Sequence, residues 1–263
     1  MHIVVCVKQV PNPEAAFSMY SVDEAARRVV PAAGLQLVMS PFDEQGVEAA
    51  LRIREAYPET RITVMSLGPA SARNAIKHAL AMGADEGVLI GDSRLEAPDA
   101  FVTANVLAAA IGKLFDVDLV LAGRQSADTD AGIVGAALGE RLGIPVVSYA
   151  KAVSVEAGIV RVERVLDDGT EVVEAALPAV VTVSNELGAP RTPNLRETMR
   201  AARKPVMTWS AADLALDGAA LRPRGMRVGL HAPRKEGRCE FLPGSVKEQA
   251  ASLAKVLHEA SLL

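Results

Sequence analysis

Two aspartates and a run of small residues directly follow one of the chain's apolar segments. Residues 117–122, VDLVLA, lead into GRQSADTDAGIVG at 123–135 and then into a helix-forming stretch. Asp128 and Asp130 share the negative charge of a phosphate, so they suit a helix cap, a loop organiser, or an acceptor for a ribose hydroxyl or base amine. This loop therefore suggests ligand binding before it suggests a reaction.

Backbone amides are the other polar groups of this loop. The first turn of a helix has N–H groups without intrahelical acceptors, and Ala131 and Gly132 add little bulk in front of them. With Asp130 as the predicted cap, the amides of Ala131, Gly132, Ile133 and Val134 face whatever lies above the turn, where a phosphate can approach closely. From this loop alone, a capped turn without a ligand is an equally good interpretation.

A second loop of the same kind comes earlier in the chain. Leu67 and Gly68 end the apolar run 61–67 and precede the next helix, and Cys6 lies at the end of the first apolar run. Two neighbouring strand ends with small residues, and Cys6 at the floor between them, favour a nucleotide crevice. The dinucleotide pattern G-x-G-x-x-G and the P-loop pattern are both missing, so neither a standard dehydrogenase nor a P-loop NTPase is indicated.

Catalytic side chains are not evident in the sequence. The four histidines lie near the termini, within a helix and in the irregular C-terminal part, and we expect them to be structural or solvated. Neither G-x-S-x-G nor H-E-x-x-H occurs, and the two cysteines are far apart and lack disulfide or metal spacing. The sequence thus predicts a binding protein without catalytic residues or a metal.

The elements that position these loops alternate along the chain. Short apolar runs at 2–8, 61–67, 87–91 and 117–122 alternate with helix-period segments at 43–57, 70–82, 97–115 and 131–142. Half of the residues are hydrophobic but only 3% are aromatic, a mix typical of buried parallel strands under alanine-rich helices. We predict an α/β fold: a three-layer, doubly wound, mostly parallel sheet, Rossmann-like and of the adenine-nucleotide-binding type.

Other segments depart from this alternation. We expect a hairpin from the RRVV and LQLVM pieces of the long excursion 9–40, and antiparallel hairpins beside the sheet at 146–184. The main domain spans 1–209 and includes a basic, proline-bounded helical segment at 190–204. Residues 210–263 are interpreted as a C-terminal arm with a helix near 245–259 that needs a second surface, the alternative being a tail packed on its own domain.

Charge and hydropathy exclude some partners. A net charge of −4 gives no field that would hold nucleic acid, and no apolar run approaches the length of about 20 residues that spans a bilayer. We expect a cytoplasmic protein, or a matrix-like one if it is organellar.

Several motifs, in order, resemble those of the β subunit of electron transfer flavoprotein. They are VVCVKQV, SPFDEQGVEAALRI, SLGPASARNAIKHALAMGADEGVLI, VDLVLAGRQSADTDAGIVGAALGERLGIP, LPAVVTV and PRTPNLRETMRAARKP. The resemblance implies a heterodimer with an α subunit that holds a redox FAD, and a β-subunit crevice that holds AMP or a second FAD. By matching position, the crevice is lined by Cys6, Ser40, Leu67, Gly68, Gln125, Asp128, Asp130, Ala131, Gly132, Ile133 and Val134.

The resemblance also implies a surface for redox partners. Leu195 takes the place of a leucine that anchors dehydrogenases, with Arg191, Arg196 and Met199 beside it; a buried edge formed by Leu195 and Met199 is the alternative. The implied donors are flavin dehydrogenases such as acyl-CoA dehydrogenases, and the implied acceptor is a quinone oxidoreductase or similar protein. The functional alternatives are a stand-alone adenine-nucleotide-binding enzyme or sensor of the universal-stress or nucleotide-hydrolase type, and a non-redox scaffold.

Overall fold

A nine-stranded, mostly parallel sheet organises the protein. The computed structural model describes residues 1–95, 98–233, 237 and 239–262. The sheet order is β11-β10-β9-β12-β8-β1-β6-β7-β13. The strands are β1 (His2–Cys6), β2 (Gln9–Pro11), β3 (Tyr20–Asp23), β4 (Arg28–Pro31), β5 (Leu37–Met39), β6 (Arg61–Leu67), β7 (Glu86–Ile90), β8 (Leu119–Gly123), β9 (Val146–Glu156), β10 (Ile159–Leu166), β11 (Gly169–Ala176), β12 (Ala179–Val183) and β13 (Val206–Trp209).

Helices cover both faces of this sheet. They are α1 (Pro41–Ala56), α2 (Arg73–Met82), α3 (Ala100–Gly112), α4 (Val134–Leu142), α5 (Leu195–Arg203) and α6 (Val246–Glu259). One core cluster joins the sheet to α1, α2 and Ala201 of α5, and a second joins the opposite face to α3 and α4. Alternate residues of β1 serve the two clusters, since Ile3 and Val5 lie in the first and Val4 and Cys6 in the second. The predicted three-layer α/β fold is confirmed.

The main predicted elements are present, with shifted ends. Strand β6 has the predicted bounds, while β1, β7 and β8 differ by one or two residues at an end. The predicted helix 70–82 begins as a 3₁₀ turn at Ala70–Ala72 before α2. The predicted start of α3 at Ala97 lies outside the described residues.

The hairpin expected in the excursion pairs differently from the prediction. β4, which contains RVV, pairs with β3, and β5, which contains LVM, pairs with β2. Each piece therefore finds its partner N-terminal to itself, and the predicted pairing of RRVV with LQLVM is wrong.

Residues 146–184 form the predicted antiparallel hairpins and also contribute parallel strands to the main sheet. β10 pairs antiparallel with both β9 and β11 as expected, but β9 and β12 are parallel strands of the main sheet. β12 inserts between β8 and β9, and β13 adds a parallel strand beyond β7 that the sequence pattern did not indicate. Within the described residues, no helix is long and apolar enough to cross a membrane.

Candidate nucleotide crevice and docking segment

The sheet reverses its winding next to β1. From β1 the chain adds β6 and β7 on one side, and it then returns to place β8 on the other side of β1. In such sheets, connections leave opposite faces at the switch point and open a ligand crevice at the carboxyl ends of the strands. The loops after β6 and β8 thus flank β1, whose carboxyl end lies between them.

Asp43 ties the two strand ends at the switch point together. It lies in the first turn of α1, and its carboxylate accepts the backbone N–H of Lys8 at 2.7 Å and that of Gly123 at 3.1 Å. Gly123 is required there, because a β-carbon would lie 2.5 Å from Asp43 Oδ1. Burial raises the pKa of Asp43 to about 7, against the lowering effect of the two N–H donors. Asp43 is the first residue of the predicted helix 43–57, and its position in the sequence gives no sign of this role.

An ion pair connects Lys8, just after β1, to residues 124–133 between β8 and α4, which we call the aspartate loop. Lys8 Nζ lies 2.7 Å from Asp128 Oδ2 and 2.8 Å from Oδ1. Partial burial raises the pKa of Asp128, but the Lys8 ammonium outweighs it and the net pKa falls below the ordinary value. Ser40 lies beneath the same loop, and its hydroxyl accepts a long bond of 3.4 Å from the Ala127 N–H. Asp128 therefore serves here as the predicted loop organiser.

Asp130 does not cap the helix, and that prediction is wrong. The helix begins at Val134, and Ile133, which precedes it, makes no side-chain capping bond. Asp130 instead accepts a hydrogen bond from the Gln125 side chain at 2.9 Å. The backbone is left-handed at Asp130 (φ 48°) and Gly132 (φ 64°), which turns the chain before α4 starts.

The amides before and within the first turn of α4 are not used in hydrogen bonds among the described residues. Among the described residues, the N–H groups of residues 131–136 have no hydrogen-bond acceptor, and Ala131, Gly132 and Ile133 are exposed. The nearest atom to a β-carbon placed on Gly132 is the Arg124 carbonyl oxygen at 3.7 Å, so side chains leave this backbone open. Such a set of free donors at a helix N-terminus suits an anion.

The other residues predicted to line the crevice are buried, half-buried or already hydrogen-bonded. Cys6 is buried in the core cluster on the α3 and α4 face of the sheet, and burial raises the pKa of its thiol to about 12, so it stays uncharged. Gly68 already donates its amide to the Ile90 carbonyl at 3.0 Å, which withdraws that amide from ligand binding. Leu67 is half-buried beside it. The Gln9 side chain, at the start of β2, donates to the Ser71 carbonyl at 2.8 Å and joins β2 to the turn after β6.

The histidines lie outside this crevice. His2 is buried at the amino ends of the strands, where Nε2 lies 2.8 Å from the Thr63 hydroxyl, and burial lowers its pKa. His78 and His231 each face a glutamate, Glu44 at 3.4 Å and Glu24 at 3.2 Å. The part of the chain that the structure describes contains no cluster of residues able to hold a metal ion.

The segment before α5 is anchored, while the helix itself projects outward. Arg191 Nε lies 2.8 Å from the buried Glu48 carboxylate, and its Nη2 lies 2.8 Å from Glu55. Leu195 is 76% exposed and Met199 60% exposed, so the alternative in which they form a buried helix edge is wrong for this chain. Arg196 is exposed between them, whereas Arg191 holds the segment in place.

Comparison with known proteins decides the family. Residues 28–214 match the family described as "Electron transfer flavoprotein domain". The chain belongs to the electron transfer flavoprotein β subunit family. It is 37% identical to the electron transfer flavoprotein subunit beta of Clostridium acetobutylicum over 98% of both chains, and 35% identical to that of Megasphaera elsdenii over 95% of this chain and 94% of that protein. It is also 35% identical, over the whole of both chains, to the caffeyl-CoA reductase-Etf complex subunit CarD of Acetobacterium woodii.

The resemblance noted from the ordered motifs is thereby confirmed. Membership of the electron transfer flavoprotein family assigns the chain a part in flavin-based electron transfer. The amides of residues 131–136 have no acceptor within the described residues, and Leu195 is exposed, so packing of the described fold explains neither feature.

Proposed function

We propose that the chain is the β subunit of a heterodimeric electron transfer flavoprotein that holds an adenine nucleotide at the switch point. The ligand is AMP or, if the protein splits electron pairs, a second FAD. The observation that carries this proposal is the run of unpaired amides at residues 131–136 beside the switch point, which is exposed at Ala131, Gly132 and Ile133. Backbone donors at a helix N-terminus bind a phosphate without needing a basic side chain.

The α subunit completes the proposed protein. It holds the redox FAD, and the present chain completes that site and docks flavin dehydrogenases such as acyl-CoA dehydrogenases, with a quinone oxidoreductase or similar protein as acceptor. When bound, the flavin supplies the electron-transfer chemistry. This chain's residues bind, orient and dock: Asp43 fixes the strand ends, and the Lys8–Asp128 pair holds the loop that faces the nucleotide.

Acid extraction of the purified heterodimer, followed by mass analysis, tests the nucleotide. We expect one adenine nucleotide per heterodimer in addition to the α-subunit FAD: AMP for a simple carrier, or a second FAD for a bifurcating one. Extracts with no nucleotide beyond the first FAD would overturn the crevice assignment and favour a scaffold role.

A charge placed at Gly132 tests where the phosphate binds. Asp and Asn both tolerate left-handed backbone, so Gly132→Asp and Gly132→Asn differ chiefly in charge. We expect Gly132→Asp to lower nucleotide affinity about tenfold or more, and Gly132→Asn to do so much less, because a carboxylate repels phosphate. Equal affinities of the two variants, measured by equilibrium titration with AMP, would place the phosphate elsewhere.

Leu195→Ala tests the docking role. The 76% exposed Leu195 side chain has no packing role here, so its loss should slow electron transfer from a reduced acyl-CoA dehydrogenase about tenfold without changing flavin content. Phe115→Ala is the matched control, since Phe115 is 82% exposed and follows α3, which covers the face of the sheet opposite to that of α5. Stopped-flow kinetics that are unchanged for Leu195→Ala would contradict this docking site.

A further inference from the structure

Helix α5 presents Leu195 and Met199 but buries little of itself. Of its nine residues, all of which the structure describes, Ala201 is the one that is buried. A helix this short is marginal on its own in water. Its orientation on the domain therefore depends on how its two ends are held.

The N-terminal end of α5 is held by a capping box and by Arg191, which precedes the helix. Asn194 accepts the Glu197 N–H at 3.0 Å, and the Glu197 carboxylate accepts the Asn194 N–H at 2.7 Å. Just upstream, Arg191 is fixed to Glu48. These bonds satisfy the first amides of the helix and fix where the chain enters it.

The C-terminal end of α5 is held by a lysine of another helix. Lys77, in the middle of α2, directs its ammonium at the last carbonyls of α5, with Nζ at 3.0 Å from Ala201 O, 3.0 Å from Ala202 O and 2.6 Å from Lys204 O. The last carbonyls of a helix lack intrahelical donors and form the negative end of its dipole. All three donors of one ammonium are used to cap α5.

Helix α5 caps α2 in return. Lys204, the residue that ends α5, extends its ammonium to the Leu80 carbonyl at 3.3 Å and to the Ala84 carbonyl. Both carbonyls belong to the C-terminal end of α2 and the turn after it. Burial lowers the pKa of Lys204. Each helix end is thus capped by a lysine from the other helix.

We propose that Lys77 and Lys204 are positioning residues for partner docking, which hold α5 so that Leu195 and Met199 face an incoming dehydrogenase. The inference rests on the docking role proposed above. Rotation or sliding of α5 over α2 would break the bonds of Lys77 and those of Lys204 together. These two lysines therefore fix the orientation of a helix that buries too little of its own surface to be fixed by packing.

The test compares Lys77→Met and Lys204→Met with Lys77→Arg in the complete heterodimer. Methionine keeps an unbranched apolar chain but has no donors, whereas arginine keeps a charge and several donors. We expect hydrogen exchange of the α5 amides to accelerate about tenfold or more in the methionine variants, since bonds to a charged group are lost, and much less in Lys77→Arg. The apparent KM for a substrate-reduced acyl-CoA dehydrogenase should rise several-fold, with kcat and flavin content unchanged.

Leu195→Ala, run alongside, separates the possible failures. If Leu195→Ala leaves the KM unchanged, the proposed docking role fails and this inference fails with it. If Leu195→Ala raises the KM but the methionine variants do not, the caps merely stabilise the helix and only the inference is overturned. Slow α5 exchange in the methionine variants would show that other contacts hold the helix.

Discussion

Asp43 is the residue on which the geometry of the crevice most depends. Its carboxylate receives one amide from the end of β1 and one from the end of β8, and it is buried beneath the loops that form the proposed binding surface. A buried carboxyl group is costly when ionised. Its charge state is therefore linked to the stability of the whole switch point.

The pH dependence of stability tests the environment of Asp43. Its pKa rises from an ordinary 3.8 to about 7 in the folded chain, so between these values the native state holds a proton that the unfolded state releases. The resulting stability is complete below pH 3.8 and is lost as the pH rises through 7, at about 1.4 kcal/mol per pH unit in between. Asp43→Asn cannot titrate, and its free energy of unfolding in urea should lack this decline. Parallel curves for the two proteins from pH 5 to 8 would show that Asp43 keeps an ordinary pKa.

Local patterns identified some site residues and missed others for a physical reason. The open amides at residues 131–134 were predictable, because small residues after an apolar run mark a strand–helix turn at the carboxyl edge. Lys8 and Asp43 were missed as a functional unit, since Lys8 contacts Asp128 across 120 positions and Asp43 contacts Gly123 across 80. Side-chain partners at such separations follow from topology. The predicted cap at Asp130 failed because the backbone turns at Asp130 and Gly132, and the helix begins only at Val134.

At the scale of elements, close contact between α4 and the sheet sets the position of the proposed phosphate site. A β-carbon on Gly135 would lie 2.3 Å from Thr182 Cγ2, and one on Gly139 would lie 2.0 Å from Val146 Cγ2. These two glycines, one turn apart, let the helix pack directly on β12 and β9. The small residues of the loop and helix thus serve packing as well as ligand access.

Gly139→Ala tests this packing. The added methyl group meets a β-branched side chain on a sheet strand, and we expect a loss of about 1–3 kcal/mol in the free energy of unfolding. Gly112→Ala is the control, because Gly112 ends α3 with no heavy atom within 4 Å of the added β-carbon, and it should raise stability by up to about 1 kcal/mol. Equal effects of the two substitutions in urea unfolding would mean that α4 can move away from the sheet at little cost.

The elements themselves were largely predictable, and the pairing of short strands was not. Continuous apolar runs such as β6 and β8 identify buried parallel strands because both of their faces are covered. The pieces of the 9–40 excursion carry no such signal, so several pairings fit the sequence equally well, and turn geometry chose β3 with β4. Strand β13 lies at an edge and is only partly buried, which left it without a distinctive pattern.

At the scale of the whole molecule, the residues after Trp209 divide into two parts. The first part packs on α3: Ala211 and Leu214 are buried, Asn105 donates to the Ala220 carbonyl at 2.9 Å, and Asp99 accepts the Arg224 N–H at 2.7 Å. Beyond it, apolar side chains are exposed, among them Met226, Val228 and Phe241, and helix α6 has no buried residue. Exposed apolar surface of this extent on one segment is typical of an interaction site.

The arm prediction is tested by charges on the apolar face of α6. Leu253 and Val256 lie three positions apart on one face and are each about half exposed, at 49% and 51%. We expect Leu253→Glu combined with Val256→Glu to weaken assembly with the α subunit about tenfold or more, because carboxylates would be buried against apolar surface. The thermal midpoint of the isolated chain should not change, since these side chains support no core of their own. Lys255→Glu, on the exposed face of the same helix, is the control and should assemble normally. A lower thermal midpoint of the isolated double variant, with unchanged heterodimer affinity by sedimentation, would show instead that α6 is a tail of its own domain.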